Sequence, residues 1–136
     1  MKREVIMEIK KEKVYLAVPY SAINDHLKDQ RFKFITKMAA RFIIDGKNCF
    51  SPITNSHLLH LYSPGKLPGD WQTWEQIDRQ YIDDCDSIYV ACLPDWDMSE
   101  GVQAEIKYAI SIGKCVHLIP EKLAADYTFG RAKLFT

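Results

Sequence analysis

Three short apolar runs constrain this chain more than any other feature: KVYLAVPY (13–20), SIYVACL (87–93) and CVHLIP (115–120). Their apolar character is continuous rather than alternating, the pattern of strands buried on both faces. Pro19 and Pro120 stop the first and the last. Between them the spacing changes to that of helices. Phe32, Ile35, Met38, Ala39, Phe42 and Ile43 predict a helix over about 27–45, with Gly46 as its C-terminal cap. Further helices are expected over about 71–84 and 100–112, and NCF (48–50) reads as a second short strand. Strands alternating with helices predict a parallel sheet of about four to five strands with helices on both faces. Ligands bind such sheets beyond the carboxyl ends of the strands.

The remaining segments are less regular. SPITNSHLLHLYSPGKLPGD (51–70), with Pro52, Pro64 and Pro68, reads as a long binding loop. VIMEI (5–9) fits an edge strand or an arm, and AKLFT (132–136) a last strand. With 136 residues and 47% apolar content, one domain over 1–136 is expected, with 1–12 as an N-terminal extension and 121–136 as a tail.

Charge and cysteine usage narrow the function classes. Eighteen basic and eighteen acidic residues balance, which disfavours a nucleic acid polymer as partner, though not a small phosphorylated ligand. There is no apolar stretch long enough for a signal peptide or a membrane span, so no membrane partner is expected. Cys49, Cys85, Cys92 and Cys115 lack CxxC spacing and read as reduced, packed thiols in a cytoplasmic protein. His57 and His60 have no Cys/His pair at ligand spacing, so neither a metal nor another cofactor is expected. GxGxxG, Walker and GxSxG motifs are absent.

Three polar residues lie on or beside apolar helix faces. In the third helix, with Trp74 at 0°, Asp78 falls at about 40°, inside the arc of Ile77, Tyr81, Cys85 and Ile82. No Lys or Arg stands three or four residues away, so burial there raises its pKa toward that of a neutral-pH general acid. A structural Asp capping a loop fits equally. In the fourth helix, Glu105 falls at about 300° from Val102, on the flank of the stripe that Ile106, Ala109 and Ile110 form. No local salt bridge explains it, and periodicity leaves it between a solvated glutamate and a site residue. Ser99 is the N-cap candidate, and Gly101 lets a ligand approach the helix start. Arg31 lies beside the face of the first helix, where it could snorkel to water or bind a phosphate. Trp74 reads as a core residue.

Four stretches carry a resemblance: VYLAVPYS, FSPITNSH, WEQIDRQYIDDCDSIYV and SEGVQAEIKYAISIGKCV. Over about residues 13–120 the chain resembles the nucleoside 2-deoxyribosyltransferase-like superfamily, which includes nucleoside 5'-monophosphate N-glycosidases. Asp78 stands eight residues before Asp86, as an Asp does in that family, and Glu105 follows a small-residue turn where the family has its nucleophile. The resemblance implies a flavodoxin-like (Rossmann-like) sheet and cleavage of an N-glycosidic bond. Glu105 would meet the anomeric carbon, Asp78 would handle the proton of the departing base, and Tyr15 would position Glu105. Paired carboxyls of this kind divide into an ionised and a protonated member.

The substrate it implies is a small nucleotide or nucleoside. Ser99, six residues before Glu105, stands where the monophosphate glycosidases have Ser and the nucleoside transferases Asp, which favours a 5'-monophosphate. Ser21 and Arg31 would complete the phosphate site, with His57, Asp97 and Gly101 also lining the pocket. Base transfer, cleavage of an NAD-type dinucleotide and a non-catalytic nucleotide-binding module are the alternatives. A homodimer or higher homo-oligomer is the expected assembly.

Overall fold

The computed structural model describes residues 11–21, 24–68 and 71–136. Four strands, β1 (Lys13–Ala17), β2 (Asn48–Phe50), β3 (Ser87–Cys92) and β4 (Cys115–Pro120), form one parallel sheet in the order β2-β1-β3-β4. Tyr15 lies in register with Phe50 on one side and Ile88 on the other. The helices are α1 (Asp25–Ile44), α2 (Pro52–Tyr62), α3 (Trp71–Asp84), α4 (Glu100–Ser111) and α5 (Glu121–Thr128). The expected Rossmann-like α/β architecture is therefore present, with four strands among the described residues.

Alternation along the central strands builds two cores. Val14 and Leu16 of β1 and Tyr89 and Ala91 of β3 face α1 and α5, meeting Ile35, Met38, Phe42 and Tyr127. Tyr15 and Ala17 of β1 and Ile88 and Val90 of β3 face α3 and α4, meeting Ile82, Val102 and Ala109. Each central strand is thus apolar along its whole length because helices cover both sides of it. After β1 the chain moves to β2 on one side, and from β3 to β4 on the other. The gap between β1 and β3 is the topological switch point, where a crevice opens at the carboxyl ends.

Three expectations need correction. The stretch 51–70 is not one loop, because Ser51 accepts a hydrogen bond from the Thr54 N–H and Pro52 occupies the first turn, starting α2. Proline suits that position, since its missing N–H would be unpaired there anyway. The tail is neither free nor a strand: 121–128 is α5, while Leu134 and Phe135 pack on the α1 core. Cys115 is exposed rather than packed, because β4 is an edge strand. All four cysteines are free. The expected strand at 5–9 lies outside the described residues. No helix among the described residues is long and apolar enough to cross a membrane.

Candidate active site

The crevice at the switch point has two connected lobes. The inner lobe, about 140 Å³, is lined by the loop after β1 (Tyr20, Ser21), the start of α2 (Pro52, Ile53, Ser56), Trp74 and Asp78 of α3, and Ser99, Gly101 and Glu105 of α4. The outer lobe, about 630 Å³, lies beyond Tyr20, Ser21 and His60, and adds Asp25, Lys28, Asp29, His57 and two leucines.

Glu105 sits deeper than its helical position suggested. Val102, Glu105 and Ala109 are the buried residues of α4, while Ile110 is 62% exposed. The axis of the buried stripe has turned toward the glutamate because α3 packs along that side of α4. Glu105 is 7% exposed and its Oε2 has no hydrogen-bond partner among the described residues. Beneath it lies the fully buried Tyr15, whose hydroxyl is also unpartnered. That hydroxyl is close enough to Glu105 and Asp78 to lower the pKa of both carboxyls, without proper hydrogen-bond geometry to either.

Burial dominates the ionisation of the pair. Loss of water pushes Asp78 up to about 7, with Tyr15 opposing. Loss of water, reinforced by the charge of Asp78, pushes Glu105 up to about 8. Near neutrality the two carboxyls therefore share one proton, and the titration belongs to the pair.

The other predicted residues are placed as follows. Ser99 caps α4, its hydroxyl accepting from the Val102 N–H at 3.3 Å, and it also faces the inner lobe with Gly101 and Ser21. His57 lines the outer lobe, where its ring stacks on Phe32 at 4.1 Å and its Nδ1 shares a 2.7 Å hydrogen bond with the Tyr20 hydroxyl. Asp97 is exposed in the 3₁₀ turn Trp96–Met98 and lines neither lobe. Arg31 requires a correction. It is 6% exposed and lines neither lobe, because its guanidinium donates to the carbonyls of Pro19 (3.0 Å) and Pro94 (2.7 Å). It ties together the loops that leave β1 and β3, so the phosphate contact expected of it is not available.

Sequence reasoning missed Tyr20 and misplaced Trp74. Tyr20 is the wall between the lobes, and its position just after Pro19, at the end of a buried strand, was the available signal. Trp74 is a cleft residue: its Nε1–H donates to the Pro68 carbonyl at 2.8 Å and its ring lies 5.4 Å from His60. Trp74 itself faces the crevice and His60 of α2, while Ile82 and Cys85 of the same arc pack on the sheet. Among the described residues no group of three or more His, Cys, Asp or Glu could hold a metal ion.

The switch-point crevice of the parallel α/β sheet thus brings together the buried Glu105, the half-buried Asp78 and, beneath them, the buried Tyr15. The chain belongs to the family described as Domain of unknown function (DUF1937), whose model matches residues 12–121. No curated protein matches the chain.

Proposed function

We propose that the protein cleaves the N-glycosidic bond of a small nucleoside or nucleotide, as the nucleoside 2-deoxyribosyltransferase-like resemblance implies. The observation that carries the reading is the unpartnered buried Glu105 Oε2, which lines the inner lobe beside Asp78 and above the unpartnered Tyr15 hydroxyl. Buried polar groups rarely go unpaired, and a sugar seated in the inner lobe would give Glu105 a partner.

In this reading the leaving base draws positive charge onto the anomeric carbon. That charge favours the ionised form of Glu105 and drives the shared proton toward Asp78. Glu105 then bonds to or stabilises the anomeric carbon, Asp78 protonates a neutral base, and water completes hydrolysis. Trp74 and Ile53 supply an apolar wall for the base. With Arg31 withdrawn, a 5'-phosphate would depend on Ser99, Ser21 and the N–H groups at the start of α4.

The test is chromatographic detection of free base from a panel of ribo- and deoxyribonucleosides and their 5'-monophosphates. Release from at least one, abolished by Glu105→Ala, is expected. Absence of release from every compound would overturn the enzymatic reading and leave a binding module. The homo-oligomer implied by the resemblance belongs to the same reading, and light scattering of the purified chain decides it.

A further inference from the structure

The charges around the two lobes are one-sided. Asp78, Glu100 and Glu105 line the inner lobe with His60, and among the described residues no Lys or Arg does. Asp25 and Asp29 line the outer lobe against one ammonium, Lys28. Asp29 is paired with Lys33 at 2.9 Å, but Lys33 does not reach the lining. The Arg31 guanidinium is held by two backbone carbonyls, and that of Arg79, which lines a small cavity with Asp78 and Glu105, pairs with Glu75 at 2.6 Å. A crevice lined by one sign of charge concentrates ligands of the opposite sign and repels those of its own. A phosphate dianion at the start of α4 would face the carboxylate of Glu100.

Two aromatic faces add to this preference. The Tyr20 ring, between the lobes, already attracts a cation, with Lys28 Nζ at 5.8 Å from its centroid. Trp74 presents the strongest cation-binding ring type on the opposite wall. We infer that the crevice selects a nucleoside whose base carries a positive charge and whose 5' end carries no phosphate, a reading of substrate class that rests on the proposed N-glycosidic chemistry.

The chemistry of such a substrate is consistent with the site. When the bond between the anomeric carbon and a cationic ring nitrogen breaks, its electron pair cancels the ring charge and the base leaves neutral, needing no proton. Water supplies the oxygen that ends on the anomeric carbon, and one proton is released through the Asp78 and Glu105 carboxyls. Entry of a cation beside these two carboxyls also favours their ionised forms, so binding tightens as pH rises through about 7 and 8.

The test measures dissociation constants by calorimetry, and base release by chromatography, for four probes. These are the pyridinium nucleoside nicotinamide riboside, its uncharged dihydropyridine form, and the 5'-monophosphate of each. The pyridinium nucleoside should bind at least about tenfold more tightly than either its uncharged form or its own monophosphate. Glu100→Gln should narrow that margin by about two- to threefold, and Lys28→Gln should widen it by a similar factor. Equal or weaker binding of the pyridinium nucleoside, or tightest binding of a monophosphate, would overturn the inference. Tight binding of the pyridinium nucleoside without base release from any probe or panel compound would instead sustain the charge selection and overturn the N-glycosidic reading.

Discussion

Two fully buried tyrosines, one on each face of the sheet, show how differently the two sides are built. Tyr127 of α5 packs edge-on against Phe42 and Phe135, and its hydroxyl donates to Asp45 Oδ2 at 2.6 Å. Tyr15 of β1 is as deeply buried, yet its hydroxyl has no partner and lies beside a carboxyl oxygen in the same condition. A buried hydroxyl left unpaired costs about 1–3 kcal/mol, a burden that the α5 side avoids and the α4 side carries. Such an arrangement persists where surrounding packing is strong enough to hold it, and the apolar neighbours Ile82, Ile88, Val90 and Val102 provide that packing. Both faces carry an apolar core, and of the two tyrosines only the one on the α3 and α4 face leaves its hydroxyl unpaired.

The largest expected effects are on activity. Glu105→Ala should lower base release by about 10³-fold or more, and Asp78→Asn by about 10²–10⁴-fold on a neutral base, both read from initial rates. If Tyr127→Phe lowered the rate as much as Tyr15→Phe, the functional distinction between the two faces would be lost. The rate on such a base should also follow the shared proton. It should fall below about pH 7, where both carboxyls are protonated, and above about pH 8, where neither is. A pH–rate profile that is flat from 6 to 9 would break that assignment.

Stability should move in opposite directions on the two faces. Arg31→Ala removes two charge-assisted hydrogen bonds to loop carbonyls, one of them buried, and should cost about 2–4 kcal/mol in denaturant unfolding. Glu105→Gln should stabilise the fold by about 1–3 kcal/mol at alkaline pH. The sign follows from the raised carboxyl: the folded state binds the proton more tightly than the unfolded chain does. Its contribution is therefore intact below about 4.5 and lost as pH rises through about 8. The gain from Gln should accordingly vanish near pH 4, and a gain that is independent of pH would contradict burial as its cause. Tyr127→Phe should cost about 1 kcal/mol while Tyr15→Phe should stabilise by about 1 kcal/mol, because the first breaks a hydrogen bond and the second removes an unpaired buried hydroxyl. The smallest effect expected is that of Ser99→Ala, about 1 kcal/mol or less, through loss of the α4 cap.

Much of the fold was legible in local pattern. The strands at 13–17, 87–92 and 115–120 and the helices at 25–44, 71–84 and 100–111 follow from apolar spacing, although the edge strand 115–120 buries only Ile119. α2 was not legible, since its prolines and serines read as loop signals and only the Ser51 cap turns them into a helix start. α5 was missed because a short helix leaves too few turns for a pattern.

The carboxyls were legible to different degrees. Asp78 had an apolar arc and no local partner. Glu105 stood at the flank of its stripe, and spacing within α4 alone could not tell which way the helix rolls. That roll is set by α3, and so is the loss of water that raises the pKa of Glu105. Arg31 shows the same limit from the other side, since an arginine beside an apolar face is equally suited to a phosphate or to two carbonyls. The sequence by itself determined a parallel α/β sheet and the residues able to do chemistry, because both depend on local spacing and side-chain type. Only the tertiary structure decided that Glu105 and Tyr15 meet unpartnered, that Arg31 clamps two loops, and that the crevice is acidic. Those properties depend on distances between segments far apart in the chain, which spacing along it does not encode.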